Sequence, residues 1–267
     1  MGPLSSDNIV SSDNIVSTDD ILSPEEELRY NRQIVLRNFD FDGQEALKQA
    51  NILIIGVGGL GCASSQYLAA AGVGSLTLVD FDRIELSNLQ RQLLHRDDRI
   101  GEYKSVSGKV ELEQINPTCN VQAITKKLSA SELEQLVQSH DAVLDCTDNV
   151  ATREQINQAC FNQKTPLISG AAIRMEGQIS VFTYSEQEPC YQCLSHLFGH
   201  GTLSCVEAGI MAPMVGIIGA MQAIEAIKVI ANFGTPLTGK VLLVDGLTLS
   251  FQQMKLPKLP TCPVCNG

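Results

Sequence analysis

A chain of 267 residues, 44% of them apolar, is long enough to bury well over half of its unfolded surface, and it needs no disulfide or metal scaffold to make a core. The formal net charge of −11 argues against a general affinity for nucleic acid or anionic membrane, because phosphate surfaces are held mainly by clustered Lys and Arg. Nine cysteines without a charged and apolar export segment point to free thiols in a reducing cytoplasm.

Residues 1–22 carry the hexamer SSDNIV twice, at Ser5 and Ser11, among Ser, Asp and Asn, and read as a disordered lead-in. The ordered unit, 23–267, opens at Ser23, a helix cap followed by Pro24 and the acids Glu25, Glu26 and Glu27 at the positive dipole end. After a connecting helix, Asn51-Ile52-Leu53-Ile54-Ile55 reads as a buried strand. It runs into Gly56-Val57-Gly58-Gly59-Leu60-Gly61 and then into an Ala-rich helix over 62–71. A second strand over 76–80 completes a βαβ unit of about 30 residues. Further strands are predicted at 121–124, 142–146, 167–169, 179–184 and 241–244. Helical spacing covers Lys104–Ile115, Ala130–Gln138 and Val150–Gln163, with Ser129 and Glu132 in the form of a capping box. The apolar stretch 209–231 is interrupted by Pro213, Gly216 and Gly219 and carries Glu225 and Lys228. It therefore lacks the about 20 unbroken apolar residues of a membrane span and reads as a buried helix, with a subunit interface as the alternative. The alternation predicts an α/β, Rossmann-like, mainly parallel sheet with helices on both faces and antiparallel strands toward the C-terminus.

Glycines 56, 58 and 61 let the backbone turn tightly, approach a phosphate and pack the following helix, whose start offers free amides to an anion. Asp80 ends the second strand, where a carboxylate can accept from ribose hydroxyls, and Asp82 has a similar opportunity. Taken alone this is the pattern of a dinucleotide oxidoreductase. The cations Arg91, in Ser87-Asn88-Leu89-Gln90-Arg91-Gln92, and Lys104 favour ATP, because adenylation builds charge on the α-phosphate and on the departing pyrophosphate. Arg91 would fork two phosphate oxygens and Lys104 would act as a point charge. Each could instead be a surface ion pair. Asp148, in Asp145-Cys146-Thr147-Asp148-Asn149, is a candidate Mg²⁺ ligand, or else the cap of the helix beginning at Val150.

Cys190 and Cys193 form one CxxC pair and Cys262 and Cys265 another, together the set of a structural Cys₄ Zn²⁺ site that would pin the C-terminal tail to a distant loop. Four thiolates leave no open position for water, so the site is read as non-catalytic, and a redox role for one pair is the weaker alternative. Cys62, Cys146 and Cys160 read as core residues. Cys205, in a glycine-bearing loop, is a candidate acyl or sulfur acceptor. His95, His140, His196 and His200 show no spacing that joins them into a catalytic set.

Arg29-Tyr30-Asn31-Arg32-Gln33, the glycine turn, Asp80 with Asn88 and Arg91, Lys104, the Cys146-Thr147-Asp148-Asn149 run and both CxxC pairs resemble the MoeB/ThiF family, the bacterial relatives of ubiquitin-activating enzyme. The likeness runs from about Ser23 to Gly267. It implies a homodimer that binds ATP and Mg²⁺ and adenylates the C-terminal Gly-Gly carboxylate of a small β-grasp sulfur-carrier protein in molybdenum-cofactor synthesis, with the thiamine-pathway carrier or a short peptide as the alternative substrate of the same chemistry. It implies further that Asp80 holds ribose, that Asn88, Arg91 and Lys104 hold phosphates beside Gly59 and Gln92, and that Asp148 holds Mg²⁺. Arg32 would reach the γ-phosphate bound by the partner subunit. A separate protein would donate sulfur. Outside the family's chemistry, an NAD-dependent oxidoreductase and a silent binding scaffold are the competing functions.

Overall fold

The computed structural model describes residues 21–198 and 208–266. Among the described residues five strands run parallel: β1 (Asn51–Ile55), β2 (Ser75–Val79), β3 (Asn120–Ile124), β4 (Ala142–Asp145) and β5 (Leu167–Ile173). Three more, β6 (Glu176–Phe182), β7 (Lys240–Asp245) and β8 (Ser250–Lys255), extend the sheet antiparallel, in the order β3-β2-β1-β4-β5-β6-β7-β8. The parallel half, the antiparallel extension and helices on both faces are as the sequence predicts.

The unbroken apolar run of β1 follows from cover on both sides. Ile52 and Ile54 face a cluster that includes Leu68 of α3 (Gly59–Ala70), Leu112 of α4 (Lys104–Ile115) and Ile218 of α8 (Ala212–Ile230). Leu53 and Ile55 face the opposite cluster, built with Leu133 of α5 (Ala130–Gln138), Ile156 of α6 (Val150–Gln163) and Leu194 of α7 (Tyr191–Phe198). The predicted capping box of Ser129 with Glu132 starts α5, and the predicted cap Ser23 starts α1 (Pro24–Ile34) and closes a box with Glu26 as well. The connecting helix is α2 (Asp40–Gln49). Leu22 is 3% exposed and packs with Tyr30 and Ile34, so packing begins just before Ser23.

β5 continues past its predicted end through Gly170, Ala171 and Ala172, where apolar periodicity fades because a side chain at Gly170 would meet Gln222 at 2.5 Å. Arg174, at φ 54, turns the chain into β6. Helix α8 is the one helix among the described residues long and apolar enough to cross a membrane, and it packs instead across α3 and β5. A Cβ at Gly219 would stand 2.5 Å from the Leu60 carbonyl oxygen. Helix propensity alone would favour alanine there by about 1 kcal/mol. Since a backbone oxygen of a neighbouring helix cannot swing aside, Gly219→Ala is expected to destabilise by about 1–3 kcal/mol instead. A thermal melt reads the sign, and an unchanged or raised midpoint would contradict the close approach of α3 and α8.

Candidate functional site

From β1 the chain returns to β2 on one side, and from β4 to β5 on the other, so the carboxyl ends of β1 and β4 open a crevice. Two loops meet there, the glycine turn and residues 146–149. Gly56 has φ +92, and a Cβ on it would come 2.8 Å from the Cys146 carbonyl oxygen. Gly61 serves packing: its Cβ would lie 1.9 Å from the Gly56 oxygen, and it does not line the cavity. Gly58 and Gly59 do line it, together with Asp80, Asp82, Arg91, Lys104 and Asp148, in a space of about 820 Å³.

Asp80 Oδ2 accepts the Val57 amide at 2.7 Å and Oδ1 accepts the Asp82 amide at 2.8 Å. Burial pushes its pKa up, opposed by the charge of Lys104 and by those two amides. Lys104 opens α4, is 7% exposed, and pairs with the exposed Asp82 at 2.9 Å. The weak helix formers that follow it have a packing reason. Ser105 and Ser107 are fully buried, Ser105 Oγ donates to the Asp80 carbonyl at 2.9 Å, and a Cβ at Gly108 would come within 3.0 Å of Leu78. Pressing α4 onto the sheet in this way fixes where Lys104 stands.

Arg91 Nη1 donates to the Ser87 carbonyl at 3.0 Å, and the guanidinium has no carboxylate partner among the described residues. It is therefore not a surface ion pair. Asp148 is exposed on the cavity wall and does not cap α6, because Asn149 holds that place, accepting the Thr152 amide at 3.0 Å. Asn88 and Gln92 stand just outside the lining. Asn88 Oδ1 closes a short turn by accepting the Glu85 amide at 3.1 Å. Gln92 is 4% exposed, with its amide nitrogen 3.7 Å from the Cβ position of Gly58, and its Oε1 has no partner among the described residues. Arg32 is exposed in the last turn of α1, away from the cavity lining. Cys205 and His200 lie outside the described residues.

Other residues on the cavity were not anticipated. Lys126 and Lys127 approach from the segment after β3. Arg153 is buried, donates to the Thr147 carbonyl, and lies against the Asp145 charge and the Tyr191 hydroxyl. Asp145 in turn accepts from the Thr147 amide at 3.0 Å and hydroxyl at 2.7 Å and from Ser169 at 3.2 Å. The loop carrying Asp148 is thus held from behind by buried charge. The available signal was Arg153 at four residues past Asn149, one helical turn into α6. At its far end the cavity crosses the antiparallel half, lined by Ala171, Ile173, Gln178, Val244 and Gln252.

Below α6, Cys190 and Cys193 of α7 and its approach meet Cys262 and Cys265, with all four sulfurs within 4.8 Å of one another. The Cys190–Cys262 and Cys193–Cys265 separations are both 3.6 Å. Tetrahedral sulfurs at bond lengths of about 2.3 Å stand roughly 3.8 Å apart, so the four fit one metal ion. The Leu259 amide donates to Cys193 Sγ at 3.4 Å, as amides do around metal thiolates. Cys62, Cys119, Cys146 and Cys160 are buried thiols, and burial pushes Cys62 and Cys146 up to about 12.

Residues 30–264 match the ThiF family. The chain is 59% identical over 242 residues to molybdopterin-synthase adenylyltransferase of Escherichia coli, covering 91% of this chain and 97% of that one. It is 58% identical over 233 residues to the protein of the same name from Haemophilus influenzae, covering 87% and 96%. Among solved structures, E. coli MccB with ATP has the same fold, with a TM-score of 0.78 over 92% of this chain and 76% of that one at 24% identity.

Proposed function

Because the chain belongs to the ThiF family, we propose that it adenylates the C-terminal glycine carboxylate of a small β-grasp sulfur-carrier protein, in molybdenum-cofactor synthesis. It is an adenylyltransferase. The observation that carries the proposal is a single cavity that joins the glycine turn and its cations to an open strand surface. One end suits a triphosphate and the other an extended peptide.

In this reading the turn and the free first-turn amides of α3 cradle the phosphates, Asn88, Arg91 and Lys104 hold them, Asp80 accepts from the ribose, and Gln92 lies against Gly58 of the turn. Lys104 exchanges Asp82 for phosphate as ATP arrives. Asp148 holds Mg²⁺, which supplies charge neutralisation on the phosphate oxygens. A carrier tail laid across β5 to β8 brings its carboxylate to the α-phosphorus. The new bond is carboxylate oxygen to phosphorus; the bond to the β-phosphate oxygen breaks, and its electron pair leaves with pyrophosphate. No proton transfer is required. Arg32, outside the cavity of its own chain, serves the γ-phosphate of a second copy, so the active form is a homodimer. The four cysteines hold a structural Zn²⁺. Sulfur comes from a separate donor, with Cys205 a candidate for a later acyl or sulfur transfer, and the enzyme works in the cytoplasm.

The test is ATP–pyrophosphate exchange with a panel of Gly-Gly-ended carriers from the molybdenum and thiamine pathways, run beside NADH titration. Exchange that appears only with a carrier is expected, strongest with the molybdopterin-synthase small subunit. NADH binding without exchange would make the chain an oxidoreductase instead.

A further inference from the structure

Val57 sits between the two glycines that open the turn, and both peptide groups around it are held. Its amide donates to Asp80 Oδ2 at 2.7 Å. Its carbonyl accepts from His95 Nε2 at 3.0 Å and from the Cys62 thiol at 3.5 Å. A carbonyl can only accept, so Nε2 carries the proton, and Nδ1 must accept from the Ser107 hydroxyl at 3.1 Å. His95 is 5% exposed. Burial lowers its pKa, reinforced by the charges of Lys104 and Arg99 and opposed by the Val57 bond and Glu111, so the ring is held neutral. Ser107 is itself braced, since Arg99 donates to its carbonyl at 3.0 Å and pairs with Glu111 at 2.8 Å.

The reason for such a grip lies in the neighbours of Val57. Glycine accepts either sign of φ at little cost, so the Val57–Gly58 peptide, whose flip is taken up at φ of Gly58, turns easily unless something holds it. In a planar trans peptide the carbonyl and the following amide point in opposite directions. Holding the Val57 carbonyl toward His95 therefore aims the Gly58 amide the other way, toward the cavity that Gly58 lines.

We infer that His95 is a positioning residue for the nucleotide phosphates, which sets the direction of the Gly58 amide through the Val57 carbonyl while Ser107 fixes its tautomer. The inference rests on the proposed ATP site. His95 itself touches no substrate. An apolar side chain of equal size would fill the same space and leave the Val57 carbonyl with only the weak, longer bond from the Cys62 thiol.

Carrier-dependent exchange and direct titration with ATP and Mg²⁺ test it. His95→Leu is expected to raise KM for ATP about 10-fold, the order of one buried hydrogen bond, with KM for the carrier unchanged. His95→Gln, whose amide nitrogen can reach the same carbonyl, should return to within about 3-fold of the parent protein. Ser107→Ala, which frees the tautomer, should raise KM for ATP several-fold and leave the carrier value alone. Thermal melts separate folding from binding, and if His95→Leu does not fold, His95→Gln and Ser107→Ala decide. A folded His95→Leu protein with unaltered ATP affinity, equal losses toward ATP and carrier, or a glutamine variant no better than leucine would overturn the role. Absence of exchange in the parent protein would instead remove the ATP site on which the inference stands.

Discussion

Asp148→Ala protein is expected to lose carrier-dependent ATP–pyrophosphate exchange by about 10²-fold or more while keeping its melting temperature, and Arg91→Ala should behave alike. The pairing of a large kinetic loss with an unchanged fold follows from what each side chain touches. Asp148 is exposed, and the adjoining Asn149 makes the helix cap, so removing the carboxylate breaks no structural bond. Among the described residues Arg91 has no acidic partner to strand, and its guanidinium donates only to the exposed Ser87 carbonyl. Both groups are thus available to meet charge that arrives with ATP and grows as pyrophosphate departs. Asp148→Asn adds a control, since it keeps the size and loses the charge that a hard cation needs. Full exchange activity in either alanine variant would refute the assigned roles, and a fall in melting temperature would show them to be structural.

Removing the metal should have the largest effect on stability. A Cys262→Ser protein, or the parent protein treated with a strong chelator, is expected to lose one equivalent of bound zinc and to melt at a markedly lower temperature. Structural zinc binding supplies apparent free energy of about 10 kcal/mol, and a chain this size loses roughly 2–4 °C per kcal/mol. Even partial loss should exceed 10 °C in these terms. The effect should also reach the nucleotide end. Tyr191 follows Cys190 directly, its amide donates to Asn157 Oδ1 at 2.9 Å, and its hydroxyl bonds Arg153, which holds the Thr147 carbonyl. Weaker exchange in the chelated protein, restored on adding zinc back, would accompany the stability loss. A metal content of zero in the parent protein, or an unchanged melt after chelation, would defeat this account.

Much of this is legible in the sequence, because the strongest signals are local. The apolar run of β1 before the glycines, the caps at Ser23 and Ser129, and the paired cysteines each state their structure within a few residues. What stayed hidden depends on contacts across the chain. Nothing near Ser105, Ser107 and Gly108 says that α4 is pressed onto the sheet, where larger helix formers would not fit. Spacing gave His95 no partner, yet folding brings it to Val57 and Ser107. Arg153 looked like any helical arginine until burial placed it behind Asp145 and Thr147. β8, all six residues of which are exposed, has no buried face to impose an alternation that would predict a strand.

The arrangement of the four sulfurs also sets an order of events during synthesis. Cys190 and Cys193 leave the ribosome before β7 and β8 exist, and their two remaining metal ligands arrive only near residue 265. Until then α7 rests on the packing of Leu194 and on the Tyr191 amide's bond to Asn157 Oδ1, without the added hold of the second cysteine pair. The cavity is likewise completed late, because Leu243 and Val244 of β7 and Gln252 of β8 line it, although β1 and β2 at its glycine-turn end are made first. Completion is deferred to the final segment, so a product truncated ahead of Cys262 would be left without a closed metal centre.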